Sequence, residues 1–199
     1  MRMRMIFVYT CIALLIFSAE PGQASEESVY QSRQSFVDYA FKDGAFKDGA
    51  FNSGASKGRA PLRQKLWIRG QLKNDLTQVL GHAPPWLRVG YWQRGSRTAW
   101  ILEEIGKDQP ITAGVVVADG KIELVRVLVY RESRGYEVRY PFFTDQFQQA
   151  SLDKHNRLDL SIDGITGATL SVSALKRMAR AALLLHAHSA NPKITLAKK

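Results

Sequence analysis

Two residues, Asp119-Gly120, constrain this chain more than any others, because with Lys121 they are all that separates two apolar-rich runs at 111–118 and 122–130. A two-residue Asp-Gly link is the signature of a type I′ turn, which needs positive φ at both positions and whose twist matches that of antiparallel strands. The two runs therefore pair as a hairpin, and 98–105, which also reads as a strand, extends it to an antiparallel meander. A parallel arrangement would need a crossover of a dozen or more residues at this point, and two cannot supply it.

The remaining periodicities attach helices to that sheet. Leu72, Leu76, Val79 and Leu80 recur at helical spacing before Gly81, with Pro84-Pro85 expected to end the element. The near-alternating stretch Trp86-Leu87-Arg88-Val89-Gly90-Tyr91-Trp92 predicts a strand. Phe142, Phe143 and Phe147 suggest a short helical turn, and a last strand is expected near 158–162. The most convincing helix is 170–186, with Val172, Leu175, Met178, Ala179, Ala182 and Leu185 on one stripe and Ser173, Lys176, Arg177 and Arg180 opposite. The fold class is α+β: one domain, an antiparallel β-sheet with packed α-helices.

Residues 1–24 contain Arg2 and Arg4, an apolar run from Ile6 to Phe17 and a small-residue approach to Gly22-Gln23-Ala24. This is the layout of a secretory signal peptide, cleaved after Ala24, and the run is shorter than the ~18 residues of a spanning helix. A periplasmic location is expected, with anchorage to the inner membrane by an uncleaved N-terminus as the alternative. The single cysteine, Cys11, lies within that run, so the mature chain would have no thiol for disulfides, cysteine-ligated metal or thiol catalysis. Residues 25–60 read as a polar, low-complexity lead-in. Within it Ala-Phe-Lys-Asp-Gly occurs at 40–44 and 45–49 and decays to Ala-Phe-Asn-Ser-Gly at 50–54, a repeat best read as an expanded loop. Residues 61–97 are an N-terminal extension of the domain proper at 98–188, and 189–199 a flexible basic tail.

The chain carries a formal net charge of +10. Such a balance suits anionic surfaces, an acidic redox partner or a phosphate-bearing ligand. Nucleic acid is not expected as a partner, since no interleaved aromatic and basic motif of that kind occurs.

Ahead of the last helix stands Asp163-Gly164-Ile165-Thr166-Gly167-Ala168-Thr169. The glycines permit unusual dihedrals and close approach by a ligand, and a helix start presents backbone N–H groups and a dipole that favour an anion. Thr169 is then either a helix N-cap or a hydroxyl that holds or is esterified to a phosphate. Other candidates point to structure: His82, His155, His186 and His188 form no metal constellation, the last two at the frayed end of a helix. Glu103 and Glu104 face opposite sides of a strand, and the four tryptophans read mostly as core. No metal site is predicted.

The Asp-x-x-Thr-Gly-Ala-Thr segment, the upstream Asp-Gly hairpin, the turn Glu132-Ser133-Arg134-Gly135 and the pair Gln146-Phe147 together resemble the FMN-binding domain family, which includes flavin-carrying subunits of the Rnf complexes and of the sodium-translocating NADH:quinone oxidoreductase. Arg134 stands where that family usually has proline, and Glu137 where a second glycine is common. The resemblance implies FMN as cofactor, esterified through its phosphate to Thr169 by a flavin transferase that uses FAD and magnesium. It implies that Asp163, Gly164, Ile165, Thr166, Gly167 and Ala168 are cofactor-binding, with Asp163 and Thr166 shaping the attachment loop or engaging the transferase, and that Glu132, Ser133, Arg134 and Gly135 lie near the isoalloxazine ring or ribityl chain. Arg134 either stabilises reduced flavin or belongs, with Arg131 and Arg139, to a solvated basic face. The function implied is electron transfer with a membrane or periplasmic partner such as a cytochrome, rather than self-sufficient enzymatic turnover. A noncovalent flavin-binding or sensory module, and a flavin-dependent reductase of a small substrate, are the alternatives.

Overall fold

In the computed structural model residues 28–42 and 60–190 are described. The expected signal peptide, most of the pentapeptide repeat and residues 191–199 of the basic tail lie outside them; the tail's first two residues, Ser189 and Ala190, are helical and not a flexible tail. Six strands, β1 (Ser28–Val29), β2 (Leu62–Trp67), β3 (Arg88–Arg94), β4 (Arg97–Ile105), β5 (Pro110–Ala118) and β6 (Lys121–Tyr130), form one sheet in the order β1-β6-β5-β4-β3-β2. All neighbouring pairs are antiparallel. The helices are α1 (Arg33–Ala40), α2 (Gly70–Leu80), the single turn α3 (Pro141–Thr144) and α4 (Thr169–Ala190). The architecture is the expected α+β one. Asp119 and Gly120 take φ of 48° and 77°, so the hairpin between β5 and β6 turns as its sequence requires.

The sheet is covered on both sides, which explains why β5 shows no polar alternation: every residue from Ile111 to Ala118 is buried. The front core joins Trp100, Val115, Val117 and Ile122 to Leu72 and Leu76 of α2 and to Val172, Leu175, Met178 and Ala182 of α4. The back core joins Phe36, Val37, Ala40 and Phe41 to Ala99, Val116, Leu124 and Leu128.

That back layer corrects the reading of 25–60 as a lead-in. Its residues 28–41 contain a strand and a helix that belong to the domain. Ser32 caps α1 by accepting the Ser35 N–H at 3.1 Å, and Phe36 lies directly on the bare backbone of Gly114. Two further expectations are revised. α2 is ended by Gly81, at φ 80° with its N–H on the Thr77 carbonyl at 2.9 Å, before either proline is reached. No strand forms at 158–162; a single bridge joins Leu152 and Leu158. There the Asp159 carboxylate accepts the N–H and hydroxyl of Ser151, and Asp153 accepts the N–H groups of His155 and Arg157. These local side-chain bonds replace a ladder.

His186 is buried, not frayed. Its Nδ1 lies 2.8 Å from Thr98 Oγ1, which also accepts the Trp100 indole N–H, and its Nε2 accepts the Gly120 N–H at 3.3 Å. The network therefore assigns a neutral ring with the proton on Nδ1. Burial pushes the His186 pKa down. His82 is the opposite case: the Glu104 carboxylate at 3.0 Å, then the Ala83 carbonyl, push its pKa up. The signs differ. Below about pH 6.5 the unfolded chain binds a proton that folded His186 resists, so stability falls as pH drops through that range. Above about pH 6.5 folded His82 keeps a proton the unfolded chain has released, so the stability it contributes is lost as pH rises through its folded pKa. Urea midpoints across pH 5 to 8 should therefore peak near about 6.5. His186→Gln should flatten the acid limb and His82→Gln the alkaline one; unchanged limbs would remove these assignments.

Candidate functional site

The site is built where the start of α4 meets the two loops at one end of the sheet. Gly167 turns the chain at φ 81°, and the Ala168 N–H bonds to the Ile165 carbonyl at 3.0 Å. The first helical bond runs from Val172 N–H to Ala168 O at 2.9 Å, so Ala168 occupies the N-cap and has no side-chain acceptor to offer. The N–H groups of Thr169, Leu170 and Ser171 precede this bond and have no intrahelical partner, which makes the helix end an electropositive seat. Thr169 is thus the first helical residue and not the cap. It is exposed, and its hydroxyl makes no hydrogen bond within the described residues.

The loop after β6 is fixed against that helix end. The Tyr130 phenol donates to the Arg134 carbonyl, and with its one proton so used it accepts from Ser171 Oγ at 2.9 Å. Burial pushes the Tyr130 pKa up and keeps it a donor. Gly135, at φ 82°, closes the contact: a Cβ there would lie 2.9 Å from Tyr130 Oη and 3.0 Å from the Ala168 methyl.

Glu132 fastens the second loop. Its Oε1 accepts the backbone N–H groups of Lys107, Asp108 and Gln109, so the turn between β4 and β5 wraps around this carboxylate. Lys107 is carried into the site as a result. The groove so formed has a volume of about 590 Å³ and is lined by Lys107, by Glu132 to Arg134, and by the segment from Gly167 to Ser171. That lies inside the ~300–1,000 Å³ usual for small-molecule sites.

Of the residues the sequence singled out, the structure brings Glu132, Ser133, Arg134, Gly167, Ala168 and Thr169 together around this groove. Gly135 lies behind it as a packing contact. Asp163, Gly164, Ile165 and Thr166 do not line it: Asp163 is exposed with its N–H donated to Gln146 Oε1 at 2.7 Å, Gly164 and Thr166 are exposed, and Ile165 is half-buried against the core. Phe147 is buried edge-on to Phe143. A common basic face does not exist. Arg131 donates to the Pro110 carbonyl and Thr112 Oγ1, and Arg139 stacks over Tyr30 and Tyr140, which leaves Arg134 alone at the groove.

Sequence reasoning missed Lys107, Ser171 and Tyr130, because each acts through a partner 25 or more residues away. Elsewhere, Glu104 is buried between His82 and Arg177 while Glu103 faces the other side, as alternation requires. Trp100 is the one tryptophan wholly in the core. Among the described residues no cluster of three or more His, Cys, Asp or Glu side chains is arranged to hold a metal ion.

Fold and groove together define a class: an antiparallel α+β domain with an anion seat at the N-terminus of its longest helix. Residues 106–184 match the model of the FMN-binding domain family; across them the chain carries an FMN-binding domain, and FMN is its cofactor. No curated protein matches the chain. The residues present fit this group. A phosphate dianion would meet Lys107, Arg134 and three helix-start N–H groups; of the carboxylates nearby, Glu132 is engaged by three N–H donors and Asp108 pairs with Lys107 at 3.3 Å.

Proposed function

We propose that the protein is exported, carries FMN as a phosphoester on Thr169 and relays electrons between a membrane or periplasmic donor and acceptor, with a cytochrome as one such partner. The observation that carries this reading is the exposed Thr169 hydroxyl, unpartnered among the described residues, at the first position of α4 in a groove that also presents Lys107 and Arg134. In the attachment step, catalysed by a flavin transferase with magnesium, the Thr169 oxygen bonds to the FMN-side phosphorus of FAD. The pyrophosphate bond breaks, AMP leaves and the hydroxyl proton goes to solvent. Lys107 and the first-turn N–H groups then hold the phosphate, while Tyr130 and Gly135 keep the 131–135 loop against the helix.

Bound flavin takes up two electrons and releases them singly, so the protein's part is to position it, tune it and dock partners. Arg134, exposed beside the groove, favours added negative charge there. The wholly antiparallel sheet supports a relay over a dehydrogenase, because the dinucleotide seat of a βαβ unit needs parallel strands.

The test is intact mass and in-gel flavin fluorescence on protein co-expressed with a flavin transferase. Wild type and Thr169→Ser should gain the mass of an FMN ester, and Thr169→Ala should not. A wild type that gains nothing beside a transferase active on a control substrate would sink the covalent reading. Equilibrium dialysis with FMN would then report a noncovalent site. The same mass spectrum reads export, since cleavage after Ala24 fixes the N-terminus of the secreted protein.

A further inference from the structure

Among the described residues α1 covers the back of the sheet over β4, β5 and β6, with Trp92 of β3 packed at the margin of that layer. Over β2 and β3 the register places Arg63 opposite Trp92, Lys65 opposite Gly90 and Trp67 opposite Arg88. Directly opposed residues share a face, and the alternate positions Leu66, Val89 and Tyr91 are buried in the front core, so these six form the outer surface. The Arg63 guanidinium lies 5.5 Å from the centre of the Trp92 ring and that of Arg88 5.7 Å from Trp67. Gly90 leaves an open floor between the two pairs, where a Cβ would meet nothing closer than the Gln64 carbonyl at 3.8 Å. Trp67 is 52% exposed.

The two carboxylates on this side of β4 and β6 are engaged elsewhere. Glu123 pairs with Arg97 at 2.7 Å, and Glu103 accepts from Thr112 and pairs with Arg33. The plate is therefore cationic and aromatic. Charge on an edge strand is a common guard against edge-to-edge pairing, and Arg63 and Lys65 need no other explanation. That guard does not account for two indoles with guanidinium groups stacked on them and one ring half in water.

Indole rings settle at the headgroup level of a bilayer, and clustered Lys and Arg are drawn to anionic lipid. From this charge complementarity we propose that the plate on β2 and β3 docks on an anionic phospholipid bilayer. The bound orientation lays the back of the sheet on the membrane. Thr169, at the start of the helix on the front, stays open. This site shares no residue with the flavin groove.

The experiment is flotation of the full chain with vesicles of phosphatidylcholine alone, or with about one quarter phosphatidylglycerol, at about 0.1 M salt, where screening lengths are ~10 Å. The apolar run at 6–17 is common to all variants, so differences among them report the plate. Wild type should partition about tenfold or more in favour of the anionic vesicles, and Arg63→Gln/Arg88→Gln should lose most of that preference. Lys73→Gln/Lys154→Gln, the same charge change on exposed residues elsewhere, should keep it. Brominated acyl chains should quench wild-type indole emission, and quenching should disappear in Trp67→Phe/Trp92→Phe. No anionic preference, equal loss in both charge variants, or quenching that survives the tryptophan changes would each overturn the proposal. The first of these would turn attention to an acidic protein as occupant. Flavin mass on Thr169, measured in the same variants, should not change.

Discussion

Phe36→Ala should destabilise the protein by about 3–5 kcal/mol, the range for deleting a fully buried aromatic ring. The ring has no exposed surface and rests on Gly114 so closely that a Cβ on that glycine would lie 2.4 Å from it. The position directly beneath the ring is bare backbone, so no side chain there can fill the space. Gly114→Ala should cost about 1–3 kcal/mol for the converse reason, a methyl forced into a filled site. The double variant should be less damaged than the sum, since the added methyl occupies part of the cavity. Urea midpoints on the four proteins close this cycle. A cost under about 1 kcal/mol for Phe36→Ala would make α1 an appendage, although it lies beyond the part of the chain that matches the family.

Gly135→Ala should lower FMN affinity by about tenfold or more while leaving the sheet folded. An alanine at φ 82° is strained in itself, by about 1 kcal/mol. The added methyl also meets Tyr130 Oη and the Ala168 methyl, neither of which has room to retreat, since Tyr130 is held by Arg134 and Ser171. The 131–135 loop must lift from α4 and take Ser133 and Arg134 with it. Fluorescence titration of the unloaded protein with FMN reads the affinity, and hydrogen exchange in the first turn of α4 reads the lifting without any flavin. Gly164→Ala is the control, because a Cβ there meets nothing within 4 Å and its φ is not positive. Equal damage from the two substitutions would mean that the attachment loop as a whole, and not this contact, governs binding.

The elements legible in the sequence are those whose signal is local. Asp119-Gly120 needs no partner to demand its turn, and the stripe along α4 repeats often enough to be read without knowing what covers it. α1 escaped because eight residues hold barely two turns of period, and its place depends on Gly114, which lies far along the chain. The 158–162 stretch misled because Asp153 and Asp159 offer the backbone nearer partners than a strand would. At the site, Glu132 was readable as a residue of interest, whereas its work, gathering three N–H groups of another loop and so delivering Lys107, belongs to the closed fold. Thr169 was legible by position. That Ala168 takes the cap and leaves the hydroxyl unengaged required coordinates.

The pairing of β1 with β6 sets a clock on assembly. Synthesis proceeds from the N-terminus, so β1 and α1 are made first, yet the surfaces they cover are completed only when Tyr130 has followed, some hundred residues later. Closing so long a loop has a high entropic cost until the meander from β4 to β6 exists to receive it. The early segment thus waits, and its docking on the finished meander makes closure of the back layer a late event. An emerging chain stopped short of β6 has no strand to pair with β1 and only the β4 and β5 part of the surface on which α1 rests.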